Sequence, residues 1–241
     1  MQAGNGGSAI ELHDLLLSVA EQLKVPLTVI ARQAELGQLD QATSLDVTHV
    51  HTQATAALQL VDSYLLGLEL VKSQTQLELE PVSIASTLAD TAHHLEQFAR
   101  QYGIELELHI AGKYEPVMAH GRGLRAALLS LGFALSEMVG AAEASRRRVI
   151  TLAVHRTRQG IVTGMYSGQA SGLTAANWRR ARSLAGRANQ PFAVANSGAG
   201  AGFFVADAIL RSMQTALRVG RLSRQSGLAA SFRPSQQLQF V

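Results

Sequence analysis

Residues 196–202 read N-S-G-A-G-A-G and run straight into the apolar stretch FFVADAILRSM. Glycines placed ahead of a helix have two uses. The first amides of the helix carry partial positive charge and can cradle a phosphate, and glycine also lets a turn press closely against a neighbouring element. The spacing alone does not choose between them. The other chemistry-bearing residues are histidines: His13 beside Asp14, His49 and His51 around Val50, and the adjacent pair His93 and His94. An imidazole can take a phosphoryl group or a metal. None of these has a local basic residue to dock a phosphoryl group or a spaced carboxylate partner for a metal, so a solvated helix surface is expected and no metal is. The segment Trp178, Arg179, Arg180, Arg182, with Arg187 beyond it, suits an anion or the acidic half of the chain. Equally, Trp178 packs down while the arginines stay in water. Arg146, Arg147 and Arg148 read as a strand start in water.

These residues need elements to position them. Residues 1–8 are glycine-rich and read as a loose terminus. From Ile10 to about Gly37, apolar residues recur every three or four positions, with Leu16, Val19 and Leu23 on one face, which predicts a helix. A second run places Val50, Leu58, Val61, Leu65 and Leu68 on one stripe for almost four heptads. Two such helices make a hairpin roughly 40 Å long that cannot bury both seams by itself, so pairing with a second copy into a four-helix bundle is expected. The pattern changes at about Ser73. Strands are predicted at LELE, IELELHI, VMA, RVITLAVHR, GIVTGMYS, ALRVGRL and LAASFRP. Helices are predicted from Ser83 to Gly103, over GRGLRAALLSLGFALSEMV, around ANWRRARSLAG and over FFVADAILRSM. The irregular alternation of strand and helix points to an α+β sandwich with helices on one sheet face.

A helix hairpin followed by this order of elements resembles a sensor histidine kinase. The likeness covers nearly the whole chain from about residue 10. It implies a dimerisation and phosphoacceptor hairpin over residues 9–73 and a Bergerat-type ATP-binding α/β sandwich over residues 74–241. The most specific match is AEQLKVPLTVI at residues 20–30, similar to the family's S-H-E-L-R-T-P-L-T through Leu23, Lys24, Pro26, Leu27 and Thr28. By the same resemblance, Glu21 stands where the phosphoacceptor histidine would be, and Gln22 replaces the acidic residue after it. The family's asparagine box, N-L-x-x-N-A, reads SLGFAL here, with Ser130 and Ala134 at the metal- and phosphate-binding positions. Glu137 is one turn further on. The D-x-G-x-G box resembles YSGQA, with Tyr166 in place of the acid and Gly168 retained. The G-x-G-L-G-L box looks like GAGAGF, where Gly198, Gly200 and Gly202 persist.

The resemblance thus implies a degenerate member that neither phosphorylates itself nor hydrolyses ATP, since phosphoryl transfer depends on positioned metal and charge. Its function would be binding, in two-component signalling. The surface formed by Glu21, Lys24, Pro26, Leu27 and Ile30 would receive a response regulator or, through pairing, a kinase. An active divergent kinase or a histidine phosphotransferase that relays phosphate is the alternative. ATP or ADP held without turnover at the glycine turn is another.

Charge and composition set further bounds. Residues 1–120 carry 5 Lys/Arg and 15 Asp/Glu, whereas residues 121–241 carry 16 and 3. Eighteen of the 21 basic residues are Arg, the side chain that best forks onto carboxylates and phosphates. Aromatics are 5% of the chain, and no helix-turn-helix, RNP or zinc pattern is present, so nucleic acid is not the expected partner. No apolar stretch reaches the roughly 18 uncharged residues of a membrane span, and no basic region precedes an apolar one at the N-terminus. The expectation is a cytoplasmic protein with no membrane partner.

Overall fold

The computed structural model describes residues 27–30, 32, 47–73, 78–142, 147–158, 160–183 and 199–235. Its elements are α1 (Val47–Ser73), β1 (Glu80–Val82), α2 (Ile84–Gln101), β2 (Ile104–Ile110), β3 (Val117–Ala119), α3 (Gly121–Gly140), β4 (Arg148–Thr157), β5 (Gly160–Ser167), α4 (Ala175–Ser183), α5 (Ala199–Ser212), β6 (Arg218–Leu222) and β7 (Gln225–Phe232). Five strands form one mixed sheet in the order β2-β4-β5-β7-β6, parallel at β2–β4 and antiparallel elsewhere, while β1 pairs with β3 as a small separate ladder. The fold is α+β, with helices over one face of the sheet.

Local rules account for the boundaries. Ser83 caps α2 by accepting from the Ser86 amide, and Gly103 ends it at φ 64°, a left-handed conformation that side-chain-bearing residues rarely adopt. The Gly123 amide donates to His120 Nδ1 at 3.0 Å and so caps α3. Helix α3 is apolar nearly all round. By length and hydropathy it passes the test for a membrane span, but 78% of its most apolar window is buried inside the fold, as a helix walled in on every side must be. Leu95 and Phe98 of α2 and Phe203 and Ile209 of α5 share its core, with Leu152 and Met165 from the sheet below. The opposite sheet face carries only a small cluster of Ala153, Tyr166 and Ala229.

Residues 27–30 are helical, and α1 matches the predicted second helix of the hairpin. The rest of the first helix, with Leu16, Val19 and Leu23, lies outside the described residues. Helix α1 does not stand clear of the sandwich. Ala57, Leu60 and Tyr64 are buried, the latter two in the same core as α3 and α5, and a Cβ built on Gly67 would sit 2.9 Å from Val205 Cγ1. The predicted seam occupies the other side: Leu58 is 64% and Leu65 58% exposed, with Val50 and Val61 half-buried. The Leu68 side chain is outside the described set. Strand β1 begins three residues later than the LELE pattern predicts, and its pairing is short, Glu80–Ala119 to Val82–Val117.

Tyr64 anchors α1. Its ring is 1% exposed and its hydroxyl has no hydrogen-bond partner, while burial and the nearby Glu137 charge push its ionisation well upward. An unsatisfied buried hydroxyl detracts from stability, whereas the ring adds to it. Tyr64→Phe is therefore expected to leave stability unchanged or raise it by up to about 1 kcal/mol. Tyr64→Ala should lower it by about 3–5 kcal/mol. Urea unfolding midpoints check both.

Candidate functional site

The residues singled out by the box comparison meet where α5 begins on α3. Helix α5 starts at Ala199, four residues before the predicted apolar run, so Gly200 and Gly202 lie inside its first turn. Gly198 lies outside the described residues. A Cβ on Gly202 would fall 2.7 Å from the Ser130 carbonyl oxygen and 2.9 Å from Ala134 Cβ. Both distances are shorter than real contacts, so glycine is required here by the close approach of two helices. Ala134 is 0% exposed, and Ser130 is buried with its hydroxyl unpartnered. The two positions thus lie against the first turn of α5.

Glu137, one turn along α3, is 5% exposed. Its charge raises the ionisation of Tyr64 and Tyr102, for both of which burial is the larger cause. It therefore belongs to the contact between α3, α1 and the end of α2. Among the described residues no group of three or more His, Asp or Glu side chains could hold a metal. A magnesium nucleotide asks for several hard oxygen ligands. One orphan hydroxyl, one methyl group and one carboxylate turned towards two tyrosines do not fit that group.

The end of β5 separates two residues that the box comparison treats together. Side chains alternate along the strand, so Ile161 and Met165 face the helices while Val162 and Tyr166 face the opposite side. Tyr166 is thus on the wrong face to meet anything held between sheet and helices. It packs with Ala153 and Ala229, and burial pushes its phenol up to about 12. The next residue, Ser167, is fully buried, and its hydroxyl donates to the Val149 carbonyl at 2.7 Å. Gly168 follows, exposed, with open space around its Cα.

Helix α4 is where the site departs most from the sequence reading. Trp178 is 3% exposed, stacks on Phe204 with ring centroids 5.9 Å apart, and donates from Nε1 to the Leu217 carbonyl at 3.0 Å. Arg182 is only partly in water. Its Nε donates to Asp207 Oδ2 at 3.0 Å, its Nη2 reaches Asp207 Oδ1 and the Leu217 carbonyl, and its guanidinium lies 5.2 Å from the Trp178 ring centre. Asp207, with its side chain 7% exposed, also meets Arg211 at 3.0 Å and accepts the Leu217 amide at 3.0 Å. Two guanidinium groups and one amide thus compensate the desolvation of one carboxylate. The network ties α4 to α5 and to the start of β6. Arg179 and Arg180 are exposed, as expected. Asp207 was legible only as a lone acid in an apolar helix, one of three acidic residues after position 120.

Other predicted positions are scattered. His93 and His94 are exposed on α2. His13, Arg187 and Arg146, and the side chains of His49 and His51, lie outside the described residues. So do Glu21, Gln22, Lys24 and Pro26. Leu27 is 54% exposed and Ile30 half-buried.

No protein-family model matches the sequence, and no curated protein matches it either. Solved structures do. Full-length ShkA in complex with AMPPNP matches with a TM-score of 0.56 at 16% identity, over 97% of this chain and 47% of that one. The histidine kinase AdeS of Acinetobacter baumannii matches at 0.48 and 16% identity, over 89% and 98%. The chain shares the fold of ShkA over the matched residues. A bacterial phosphotransferase matches at 0.47 and 10% identity, over 96% and 98%. This chain spans about half the length of ShkA.

The α4 clasp and the buried phenols each give a measurable consequence of this kinase-like fold. Asp207→Asn keeps the shape but leaves two guanidinium groups without their counter-charge, and should cost about 2–4 kcal/mol. Trp178 is the sole tryptophan, so its emission should shift to the red with little change in helix content. Each raised phenol holds its proton more tightly when folded than unfolded. Their contribution is therefore intact below pH 10 and is lost as pH climbs, through about 12 for Tyr166, with Tyr64 and Tyr102 likewise shifted upward. Unfolding midpoints should accordingly stay level up to about pH 10 and fall steeply above it. Ultraviolet absorbance of phenolate should show the same late ionisation.

Proposed function

We propose that this chain is a catalytically inert protein of the histidine kinase fold that acts by binding other proteins in two-component signalling. It is a dimeric, cytoplasmic scaffold or regulator for a response regulator or a kinase. The observation that carries the reading is the contact of Gly202 on Ser130 and Ala134, where the family would place its metal- and phosphate-binding asparagines. Neither side chain supplies what phosphoryl transfer asks for, which is metal, oriented charge and a nucleophile in line. Glu21 at the phosphoacceptor position points the same way, because a carboxylate there removes the imidazole through which the family passes phosphate.

Binding is supported by what α1 leaves open. Leu58 and Leu65 present an apolar stripe on the side away from the shared core, and Leu27 is exposed on the first helix. Stripes of this spacing are covered by another helix, which suits a second copy of the hairpin. Leu27 and Ile30 then belong to the bundle surface on which a response regulator docks.

Titration calorimetry with ATP and Mg²⁺, and again with ADP, tests the inert reading. No heat of binding is expected at the glycine turn, and no phosphate on any histidine after incubation with ATP. One nucleotide per chain whose binding is lost on Gly200→Trp would overturn it, as would a phosphorylated histidine.

A further inference from the structure

The face of the sheet turned away from the helices holds a trough that the kinase-like reading does not use. It is a cavity of about 390 Å³ that crosses β4, β5, β7 and β6. Its floor is apolar and small: Val162, Ala229 and Gly220, with the buried Tyr166 beneath. Tyr166 lies across the glycine positions of β7 and β6. It pairs with Gly227, which pairs with Gly220, and its ring stands 3.3 Å from where a Gly220 Cβ would be. The glycines of β7 and β6 thus make room for the Tyr166 ring, which lies in the floor of the trough.

Its rim is cationic. Arg158 stands at the β4–β5 turn and Arg218 on β6, on the face of Gly220 and Ala229; Arg221 borders the trough but shares the parity of Val219, on the helix side of the sheet. With three strand spacings between β4 and β6, the two sides are roughly 14 Å apart. Several other arginines have counter-charges: Arg147 meets Glu105 at 2.6 Å, Arg156 meets Glu115 at 2.8 Å, and Arg125 meets Asp90 at 3.0 Å. Among the described residues, Arg158, Arg218 and Arg221 have no carboxylate partner. A second and independent sign is His155, on the same wall, whose Nδ1 is buried without a hydrogen-bond partner. A polar atom withdrawn from water and left unpaired detracts from stability until something meets it.

We propose that this trough binds a small organic dianion, with an apolar body over Tyr166 and negative groups at its two ends facing Arg158 on one side and Arg218 on the other. The volume falls in the range of small-molecule sites, and an apolar lining with a few convergent polar groups is their usual make-up. The trough is too small to be the whole of a stable protein interface, which buries about 800 Å² per partner. Carboxylate, phosphate and sulfonate share the chemistry that the arginines recognise. The site is separate from the α3–α5 contact and does not rest on the inert reading.

Titration of the ¹⁵N-labelled full chain with naphthalene-1,5-disulfonate, followed by amide shifts, tests it. Saturable shifts are expected at Val162, Gly220 and Ala229, half-complete at about 1 mM probe or below at low salt. Arg158→Ser combined with Arg218→Ser should weaken binding at least about tenfold, with Trp178 emission and the urea midpoint unchanged. Inorganic pyrophosphate, which has charge without an apolar body, and naphthalene-1-sulfonate, which has one charge, should each bind more weakly. A disulfonate that fails to saturate, that binds the double variant equally, or that shifts Gly200 and Gly202 instead overturns the proposal. Pyrophosphate binding as tightly as the disulfonate overturns it too. ATP heat lost in the double variant but kept in Gly200→Trp would support the trough and leave the inert reading standing.

Discussion

Helix α3 is enclosed. It has α1, α2 and α5 around it and the sheet beneath, and from Ala127 to Val139 every one of its residues is buried. A helix in that position can carry polar groups only where partners meet them. This limits Ser130, Ser136 and Glu137, and it makes Ala134 and Gly132 the natural occupants where α5 and α2 press in. The small residues on α3 and the scarcity of oxygen ligands on its α5 side are therefore one fact. A side chain able to hold a metal would need room that close packing has removed. Packing of this sort needs neither a nucleotide nor a metal to stabilise it.

Most of the sandwich was readable because its elements are locally unambiguous. IELELHI, VMA, RVITLAVHR and GIVTGMYS become strands β2 to β5, and Ser83 and Gly103 bound α2 as a cap and a stop should. The start of α5 was not readable. Glycines weigh against helix in isolation, but here they fall in the first turn, where pressing on α3 outweighs their poor propensity. The face of Tyr166 was missed for a related reason. Box alignment assigns a residue to a position in a motif, while a strand assigns it to a face by parity, and one residue of offset reverses the side. The partners of Arg182 were invisible in sequence because Asp207 is 25 residues away and on another helix.

The opposite charge of the two halves of the chain takes on a spatial meaning. Some carboxylates of the acidic half cross over to neutralise arginines of the basic half, as at Glu105, Asp90 and Glu115. Exposed pairs of that kind add little stability each, yet together they decide which arginines remain available. Among the described residues, those left over include Arg158 at the β4–β5 turn and Arg218 and Arg221 on β6. The sheet is therefore polarised across its width, with carboxylates at β2 and uncompensated guanidinium groups four strands away.

The seat of α1 has a consequence for how the chain comes to be folded. Gly67 meets Val205, so a wall of the core near the front of the chain is closed by a helix made about 140 residues later. Contacts of such sequence separation slow folding, because the loop between them must be ordered before they add any stability. During synthesis the buried face of α1 and most of α3 wait without their partner until α5 has left the ribosome. The apolar stripe of Leu58 and Leu65 is exposed throughout that interval. Among the described helices, α5 stands furthest along the chain and completes the core, and until it arrives the faces of α1 and α3 stay uncovered, which is the kind of surface that chaperones shield.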